Sequence, residues 1–314
     1  MKKICLILVC ILPITFCGCF DYHELKNYTI VTGLAIDKDN DYYIVSAELG
    51  NISDSGDKVR QNQSTTVVSK TAKSLELATA LLTDTTGGDL YFKNCELIVL
   101  SDKICDSGIA DIIDFLMKSA DFQKNTVLTV VNGNAHSLFE LTPTVDTVVS
   151  VEVVDMISSS EKSLATTKAV TAFEFFEKTK SKKSAVLPSV QIDSVKKSAK
   201  CGGFVFFREF KKVCEIDEDD AVCYSLLSLG AEKGYFESEQ GIGFEIDSCD
   251  YKNDKLNIKA SAFNGNENSE IILKNLLYEK ISRLSSFLNG YGIVFSTAMP
   301  EIAIELTDRQ SSLE

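Results

Sequence analysis

Three residues near the start of the chain, Cys17, Gly18 and Cys19, could be a site of covalent lipid attachment. They follow two lysines and an apolar run over residues 4–16. A basic tip, an apolar segment and small residues before a cysteine are typical of a leader whose cysteine is acylated. The run is too short to span a bilayer, because about 20 apolar residues are needed to cross roughly 30 Å of hydrocarbon. We therefore interpret residues 1–18 as a lipoprotein signal peptide and Cys19 as the mature, acylated N-terminus.

Attachment through Cys19 would be durable with two or more acyl chains, since a single chain holds a protein only marginally. A diacylglyceryl-cysteine would keep the body on its membrane, outside the cytoplasm. The segment departs from the usual lipobox at Phe16, where leucine is typical, and at Cys17. The alternative is an ordinary secretory signal with an unrelated cysteine nearby, and it also places the body outside the cytoplasm.

Side chains suited to nucleophilic or acid–base catalysis are scarce. The chain has two histidines, His23 and His136, and neither lies in a catalytic motif. No hydrolase elbow, zinc-protease, P-loop or dinucleotide-binding pattern occurs in the sequence. We predict a solvated His23, a solvated or capping His136 at the start of a short helix, no catalytic residues, no cofactor and no enzymatic activity.

Two acidic patterns could bind a cation. Asp37, Asp39, Asp41 and Glu48 have the spacing of an EF-hand calcium loop, but Tyr42 occupies the position that requires glycine, and the flanks indicate strands. We predict a polar hairpin turn there, with Glu48 on an exposed strand face. The second pattern is the run of four carboxylates at residues 217–220. Because the helix dipole favours carboxylates at a helix start, we predict a solvated cap and no metal site.

The body is acidic, with a formal net charge of −13 for the whole chain. Such a charge repels nucleic acid and anionic lipid headgroups, so nucleic acid is excluded as a partner and membrane residence must come from the lipid. The length is sufficient for two or more domains with sizeable cores.

Six cysteines remain beyond the leader. Outside the cytoplasm disulfides are permitted, but the pairing of six cysteines cannot be deduced from sequence. No pair has C-x-x-C spacing, and the four with apolar neighbours are typical of buried free thiols. The six are Cys95, Cys105, Cys201, Cys214, Cys223 and Cys249, and the four are Cys95, Cys201, Cys214 and Cys223.

The elements that position these residues alternate between strands and helices. This order predicts an α+β fold with mixed sheets and packed helices. In the first half we predict a hairpin at 29–36 and 41–49, strands at 66–69, 97–100 and 127–131, helices at 73–83 and 108–118, more helix within 146–178 and an extended segment at 187–192. A second domain is predicted to begin near Lys196, with strands at 203–207, 212–216, 243–246, 256–262 and 301–306 and a helix opening at 217–220.

The last helix, over residues 269–289, has the clearest pattern. Leucine or isoleucine recurs every three or four positions and forms one apolar stripe. We predict that the stripe is core of its own domain, and the alternative is a face that binds a partner. The stripe consists of Leu273, Leu277, Ile281, Leu284 and Leu288.

Several segments resemble the Ger(x)C proteins, the lipoprotein C subunits of spore nutrient germinant receptors. The opening matches at Gly18-Cys19-Phe20-Asp21, at Glu24-Leu25 and at residues 30–37, Ile-Val-Thr-Gly-Leu-Ala-Ile-Asp. Further matches follow in the family's order at residues 91–94, 97–100, 108–116, 187–190 and 203–206. The resemblance covers a domain at 19–195 well and one at 196–314 in part. Phe20 replaces the usual tryptophan, and the C-terminal α/β domain is shortened after Ser269.

The resemblance implies a non-catalytic, lipid-anchored subunit on the outer face of the spore inner membrane or cell membrane. It implies assembly with integral-membrane A and B receptor subunits and a response to small nutrients such as amino acids. Cys19 would carry the lipid, and Phe20, Asp21, Glu24 and Leu25 would form the juxtamembrane linker. The alternative function is an extracytoplasmic solute-binding lipoprotein of an uptake transporter, which requires a ligand cleft between two similar α/β lobes.

Overall fold

A nine-stranded mixed sheet lies at the centre of the fold. The computed structural model describes residues 28–50, 66–86, 88–144, 148–181, 184–193, 195–295 and 299–308. The strands of this sheet are β1 (Tyr28–Asp39), β2 (Tyr42–Gly50), β3 (Thr66–Ala72), β4 (Asp89–Tyr91), β5 (Leu97–Ser101), β6 (Val127–Val131), β7 (Ala185–Asp193), β8 (Ser198–Arg208) and β9 (Lys211–Ile216). Their order is β3-β2-β1-β5-β6-β7-β8-β9, and β4 pairs with the start of β1.

The middle of the sheet is parallel and its two sides are antiparallel. Strands β1, β5, β6 and β7 run parallel, whereas β3-β2-β1 and β7-β8-β9 are antiparallel. Parallel neighbours need crossover connections, and helices supply them. These helices are α1 (Leu75–Thr86), α2 (Asp102–Ser107), α3 (Ala110–Lys118), α4 (Val149–Ser163) and α5 (Ala172–Lys180).

Helices cover both faces of the parallel strands. Helices α1, α2, α3 and α5 pack on one face, against Leu34 and Ile36 of β1. Helix α4 and the 3-10 turn Ala135–Glu140 pack on the other, against Ala35 of β1. Strands β5 and β6 are buried along their whole length. Strands buried on both faces are continuous apolar runs, which is why the sequence predicted them.

A second, four-stranded sheet follows. Helix α6 (Glu218–Tyr224) continues as a π-helical turn, Ser225–Leu229, and leads into the sheet. The sheet has the order β10-β11-β12-β13, with β13 parallel to β12. The connection from β12 to β13 contains the last helix, α7. The elements are β10 (Gly234–Glu237), β11 (Gly243–Lys252), β12 (Lys255–Phe263), α7 (Ser269–Gly290) and β13 (Glu301–Asp308).

The apolar stripe of α7 lies in the core, as predicted. Its five members are at most 1% exposed and pack in one cluster with Phe244 and Ile246 of β11. The same cluster includes Phe204 and Phe206 of β8, so one apolar core joins the two sheets. The ring of Tyr224 in α6 lies at the join, 5.6 and 5.0 Å from those two phenylalanine rings.

The structure confirms the predicted α+β class and its mixed sheets, and it changes some details. The short elements β4, α2 and β10 were not predicted. The predicted second domain begins at Lys196, in the turn between β7 and β8, but these strands pair from Ala185 to Asp193. The strands predicted at 203–207 and 212–216 therefore belong to the large sheet, and the division of the chain into domains stays a prediction. Within the described ranges no helix is long and apolar enough to span a bilayer.

Leu277→Ala tests the position of the α7 stripe. We expect it to lower the free energy of unfolding by about 2–5 kcal/mol, because it removes buried methyl groups and leaves a cavity. The matched control is Ile271→Ala on the same helix, whose side chain is 60% exposed. Its effect should stay within about 0.5 kcal/mol. Urea unfolding followed by circular dichroism measures both, and equal losses would contradict the core assignment.

Candidate functional site

The predicted lipid-attachment site precedes the described part of the chain. Cys19, Phe20, Asp21, Glu24 and Leu25 lie outside the described residues, as does His23. The first described residue is Tyr28, at the start of β1. The described structure therefore begins where the predicted linker would end, and Cys19 and the four linker residues stay predictions.

A buried carboxylate connects the start of the large sheet to helix α4. Glu48 of β2 is fully buried, and its Oε1 accepts the Val149 N–H at 2.7 Å. Its Oε2 accepts the Ser150 N–H and the Thr32 hydroxyl, both at 3.0 Å. The first N–H groups of a helix have no partner within the helix, and they carry a partial positive charge. Glu48, a residue of strand β2, thus caps the N-terminus of helix α4. We call this arrangement the Glu48 latch.

The Glu48 latch corrects one sequence prediction. Glu48 was predicted on an exposed strand face, and that is wrong. Ser46 and Glu48 do alternate with the apolar residues of β2, but α4 and the 3-10 turn cover the face to which they point. The polar side chains of a strand with an alternating pattern point to one face of the sheet. They are exposed to solvent only when no other element packs on that face.

Gly33 provides the space that the Glu48 latch needs. A Cβ atom at Gly33 would lie 2.8 Å from both Phe139 Cζ and Ser150 Cβ. Any side chain there would push α4 and the 3-10 turn away from the sheet. Within the segment 30–37, Thr32 therefore donates to the carboxylate and Gly33 allows the close approach.

Asp37, at the end of the same segment, caps the 3-10 turn. Its two carboxylate oxygens accept the backbone N–H groups of Ala135 at 2.8 Å and His136 at 3.1 Å. Asp37 and Glu48 are both occupied by backbone donors, whereas Asp39 and Asp41 are exposed at the hairpin. The EF-hand spacing is therefore a hairpin turn, and in the described segments no group of three or more His, Cys, Asp or Glu is placed to hold a metal ion.

His136 lies between a hydroxyl and a carboxylate. Its Nδ1 is 3.2 Å from Ser46 Oγ, and its Nε2 is 3.3 Å from Glu140 Oε1. This order of groups is like a hydrolase triad, but Ser46 is fully buried and its Oγ is 2.7 Å from Ser69 Oγ. A substrate cannot reach such a hydroxyl, so the geometry does not support nucleophilic attack. The His136 imidazole is half-buried between these side chains. The residue that caps the 3-10 turn is Asp37 and not His136.

A groove of about 720 Å³ lies between α1 and α3. Its wall includes packed phenylalanine rings, with Phe92 and Phe115 within 5.0 and 5.5 Å of Phe122. Four of its polar side chains are engaged with one another in two pairs. The Tyr43 hydroxyl donates to Asp111 at 3.2 Å, and Asp114 pairs with Lys118 at 2.6 Å. Burial, and then the nearby Asp111 carboxylate, raise the pKa of Tyr43, so its phenol stays protonated.

The acidic run at residues 217–220 opens α6, as predicted, but it is paired rather than only solvated. Asp217 is the N-cap and accepts the Asp220 N–H at 2.9 Å. The carboxylates of the other three residues form ion pairs with cations on β8 and α7. The pairs are Lys200 with Glu218 at 2.9 Å, Lys280 with Asp219 at 3.5 Å, and Arg283 with Asp220.

The six thiols of the body are free, and five of them are buried. The four predicted as buried, Cys95, Cys201, Cys214 and Cys223, are among these five. Burial raises the pKa of Cys95, Cys223 and Cys249 to about 12 and that of Cys214 to about 11. It also raises the pKa of Cys105 and Cys201. A nucleophilic cysteine needs a lowered pKa, so these thiols are unsuited to catalysis.

Glu48→Gln tests the Glu48 latch. We expect a loss of about 2–4 kcal/mol in the free energy of unfolding, because the amide NH2 would face at least one buried backbone N–H and leave that donor without an acceptor. The control Glu279→Gln changes an exposed carboxylate on α7 and should cost at most about 0.5 kcal/mol. Chemical denaturation measures both, and equal losses would show that the latch does not stabilise the fold.

The raised pKa values of the thiols predict that the fold loses stability at alkaline pH. A thiol with an ordinary pKa of 9.0 in the unfolded chain and about 12 in the fold stabilises the fold fully below pH 9.0. This contribution declines as the pH rises from the lower value toward the higher one. We therefore expect the melting temperature to fall above pH 9.0, and iodoacetamide to modify the body at about pH 8 only after denaturation. Intact mass measures the modification, and alkylation of the folded body at that pH, or thiols missing after denaturation, would contradict the prediction.

A family model described as the spore germination protein N-terminal domain matches residues 21–192. A search of curated proteins finds no match. Among solved structures, the crystal structure of the GerBC protein aligns over 92% of this chain and 100% of its own, at 15% identity and a TM-score of 0.46. The family model covers more than half of the chain and includes the Glu48 latch. The chain therefore belongs to the Ger(x)C family of spore germination proteins, the family of germinant receptor C subunits.

Proposed function

We propose that the chain is the lipid-anchored C subunit of a receptor that responds to small nutrients, held on the extracytoplasmic face of the spore inner membrane or cell membrane. The observation that carries the proposal is the position of the family match. It begins at residue 21, two residues after Cys19. The germination domain thus follows directly on the cysteine that the leader pattern marks for acylation. An anchor so close to the domain would hold the whole body at the membrane surface.

The short tether supports a defined placement of the body. Only eight residues, 20–27, lie between Cys19 and Tyr28, and the nine steps from one Cα atom to the next correspond to at most about 30 Å of extended chain. Strand β1 begins there, beside Asp89 of β4. The same end of the sheet presents Lys93, Lys124 and the half-exposed ring of Phe173, whose N–H donates to the Lys124 carbonyl. We propose that this end of the sheet faces the bilayer. The linker residues Phe20, Asp21, Glu24 and Leu25 would set the distance between this end and the bilayer surface.

The partners in this proposal are the integral-membrane A and B subunits of the receptor. A subunit confined to the same membrane meets them at a high effective concentration, so weak interfaces suffice. The net charge of −13 would repel anionic headgroups, which leaves the acyl chains as the means of attachment. The thiols and the buried Ser46 hydroxyl provide no accessible nucleophile, which supports a binding role without catalysis.

The alternative, a solute-binding lipoprotein of an uptake transporter, is less well supported. That class requires two similar lobes that close over a ligand. The two sheets of this chain differ in size, with nine strands and four strands, and one apolar core joins them through α6. The structure offers no pair of similar lobes within the described ranges.

Cys19→Ala tests the anchor. In spores that produce this variant we expect the protein to leave the membrane fraction and the response to nutrients to fall, because the acyl chains hold it beside its partners. Cys17→Ala is the matched control, since it removes a neighbouring thiol and leaves Cys19 intact. Fractionation, intact mass of the native N-terminus and germination assays measure the outcome. Membrane retention and an unchanged response in Cys19→Ala, or an unmodified N-terminus in the parent, would overturn the proposal.

A further inference from the structure

Strand β13 has one edge that pairs with no other strand in the described part of the chain. The strand lies at the end of the small sheet and pairs on one side only, with β12, from Glu301 to Asp308. We call its open side the β13 edge. An open edge presents backbone N–H and C=O groups that can bind a further strand.

The other strands at the margins of the two sheets have features that hinder such binding, whereas β13 does not. Natural sheet edges are protected by short strands, lysines, prolines or bulges. Strands β4 and β10 have three and four residues, and β3 carries Lys70 near its middle. Strand β9 carries Lys211 and Lys212, and its register against β8 shifts. Strand β13 has eight residues, with neither lysine nor proline, and its register against β12 is unbroken.

The backbone groups at the β13 edge belong to apolar residues. The Glu301 N–H donates to the Asp254 carbonyl at 2.8 Å, so the odd-numbered residues of β13 bond to β12. Because the direction of the backbone groups alternates along a strand, those of Ile302, Ile304 and Leu306 point away from β12. The side chains of these three residues pack in the same core cluster as the α7 stripe, but Ile304 and Leu306 are only half-buried. A further strand would therefore find both hydrogen-bonding groups and apolar surface.

The glutamates of β13 are already paired with lysines of the neighbouring strand. Glu301 forms an ion pair with Lys255 at 3.0 Å, and Glu305 forms one with Lys259 at 2.8 Å, all on the exposed face of the sheet. The net charge of −13 opposes the association of two copies of the chain. At the β13 edge these lysines offset the negative charge, so a second acidic strand can approach.

We propose that the β13 edge binds the β13 edge of a second copy of this chain, which joins the two four-stranded sheets into one continuous sheet. Two copies related by a two-fold axis present the same surface to each other, and their edge strands then run antiparallel. The argument for a second copy is that this edge is complementary to itself. The contact requires neither the lipid anchor nor a receptor partner, so it extends beyond the proposed function.

The apolar residues of the β13 edge match when Ile304 lies at the two-fold axis. Ile304 then lies opposite the partner's Ile304, and Ile302 lies opposite the partner's Leu306. Residues whose backbone groups point at each other in an antiparallel pair exchange two hydrogen bonds. The same pairs bring apolar side chains together on the core side of the sheet, where cross-strand pairs of this kind are favourable.

The charges on the exposed face select the same register. With Ile304 at the axis, Glu305 lies opposite the partner's Ala303, and Glu301 lies opposite the partner's Thr307. Sliding one copy by two residues would place Glu305 opposite the partner's Glu305 or Glu301 opposite the partner's Glu305. Like charges directly opposite each other destabilise a strand pair, so both shifted registers are disfavoured.

The test is sedimentation equilibrium of the full-length chain in density-matched detergent, together with amide hydrogen exchange. We expect a reversible equilibrium between monomer and dimer. Exchange at the backbone amides of Ile302, Ile304 and Leu306 should slow as the dimer forms, because these N–H groups then have acceptors. A monomer at every concentration would overturn the proposal, and slow exchange at these amides in such a monomer would assign the edge to a segment of the same chain.

Substitutions at Ala303 test the register. This side chain is exposed, so its variants should fold like the parent. Ala303→Glu places a carboxylate opposite the partner's Glu305 at two symmetry-related points and should weaken the dimer about threefold or more. Ala303→Lys places an opposite charge there and should strengthen the dimer by a similar factor.

The matched control is Asn257→Glu, which adds the same charge at an exposed position of β12, directly beside Ala303 but one strand away from the edge. It should form dimers like the parent, and melting temperatures show that all variants are folded. Equal weakening by Ala303→Glu and Asn257→Glu, or no effect of either charge at Ala303, would place the contact elsewhere and refute the proposal.

Discussion

The buried carboxylate of Glu48 is the constraint on which the N-terminal part of the fold depends. A fully buried negative charge is tolerated only when donors surround it, and here two backbone N–H groups of α4 and the Thr32 hydroxyl do so. The segment 30–37 supplies the Thr32 hydroxyl, the space at Gly33 and the second capping carboxylate, that of Asp37. The residues that mark the family resemblance at this point therefore have a structural role. They fix the long connection between β6 and β7 onto the sheet.

The same interaction fixes the position of helix α4. Helix α4 begins at the Glu48 latch and ends at Ser163, so its 15 residues extend about 22 Å at 1.5 Å per residue. Its last turn carries Glu161, whose carboxylate accepts the Ala169 N–H at 3.0 Å. A helix is stiff along its axis, so a displacement at one end is transmitted to the other. The register of β1 and β2 and the position of the C-terminal end of α4 are thus linked through one rigid element.

The sequence predicted the elements well where periodicity was strong, and it predicted side-chain partners poorly. The apolar runs of β5 and β6 and the stripe of α7 were correct, because burial on both faces or along one helical face leaves a regular pattern. The prediction for Glu48 was wrong. The alternating pattern of β2 shows that the two faces of the strand differ, but it does not show which element covers the polar face. The lysines and arginine that pair with residues 218–220 come from β8 and α7, far along the chain.

The core that joins the two sheets limits how far the sheets can move against each other. Tyr224 contacts Phe204 and Phe206 of the large sheet and also Phe295, which follows α7. Opening the sheets against each other would expose these rings, and burying aromatic rings is among the larger favourable terms in a fold. Wide closure of two lobes around a ligand, as in solute-binding proteins, is therefore unfavourable here. Small shifts of packed elements remain available, since α6 and its π-helical turn contact both sheets. Under the proposed function, the body would therefore respond to its neighbours by moving as a nearly rigid unit.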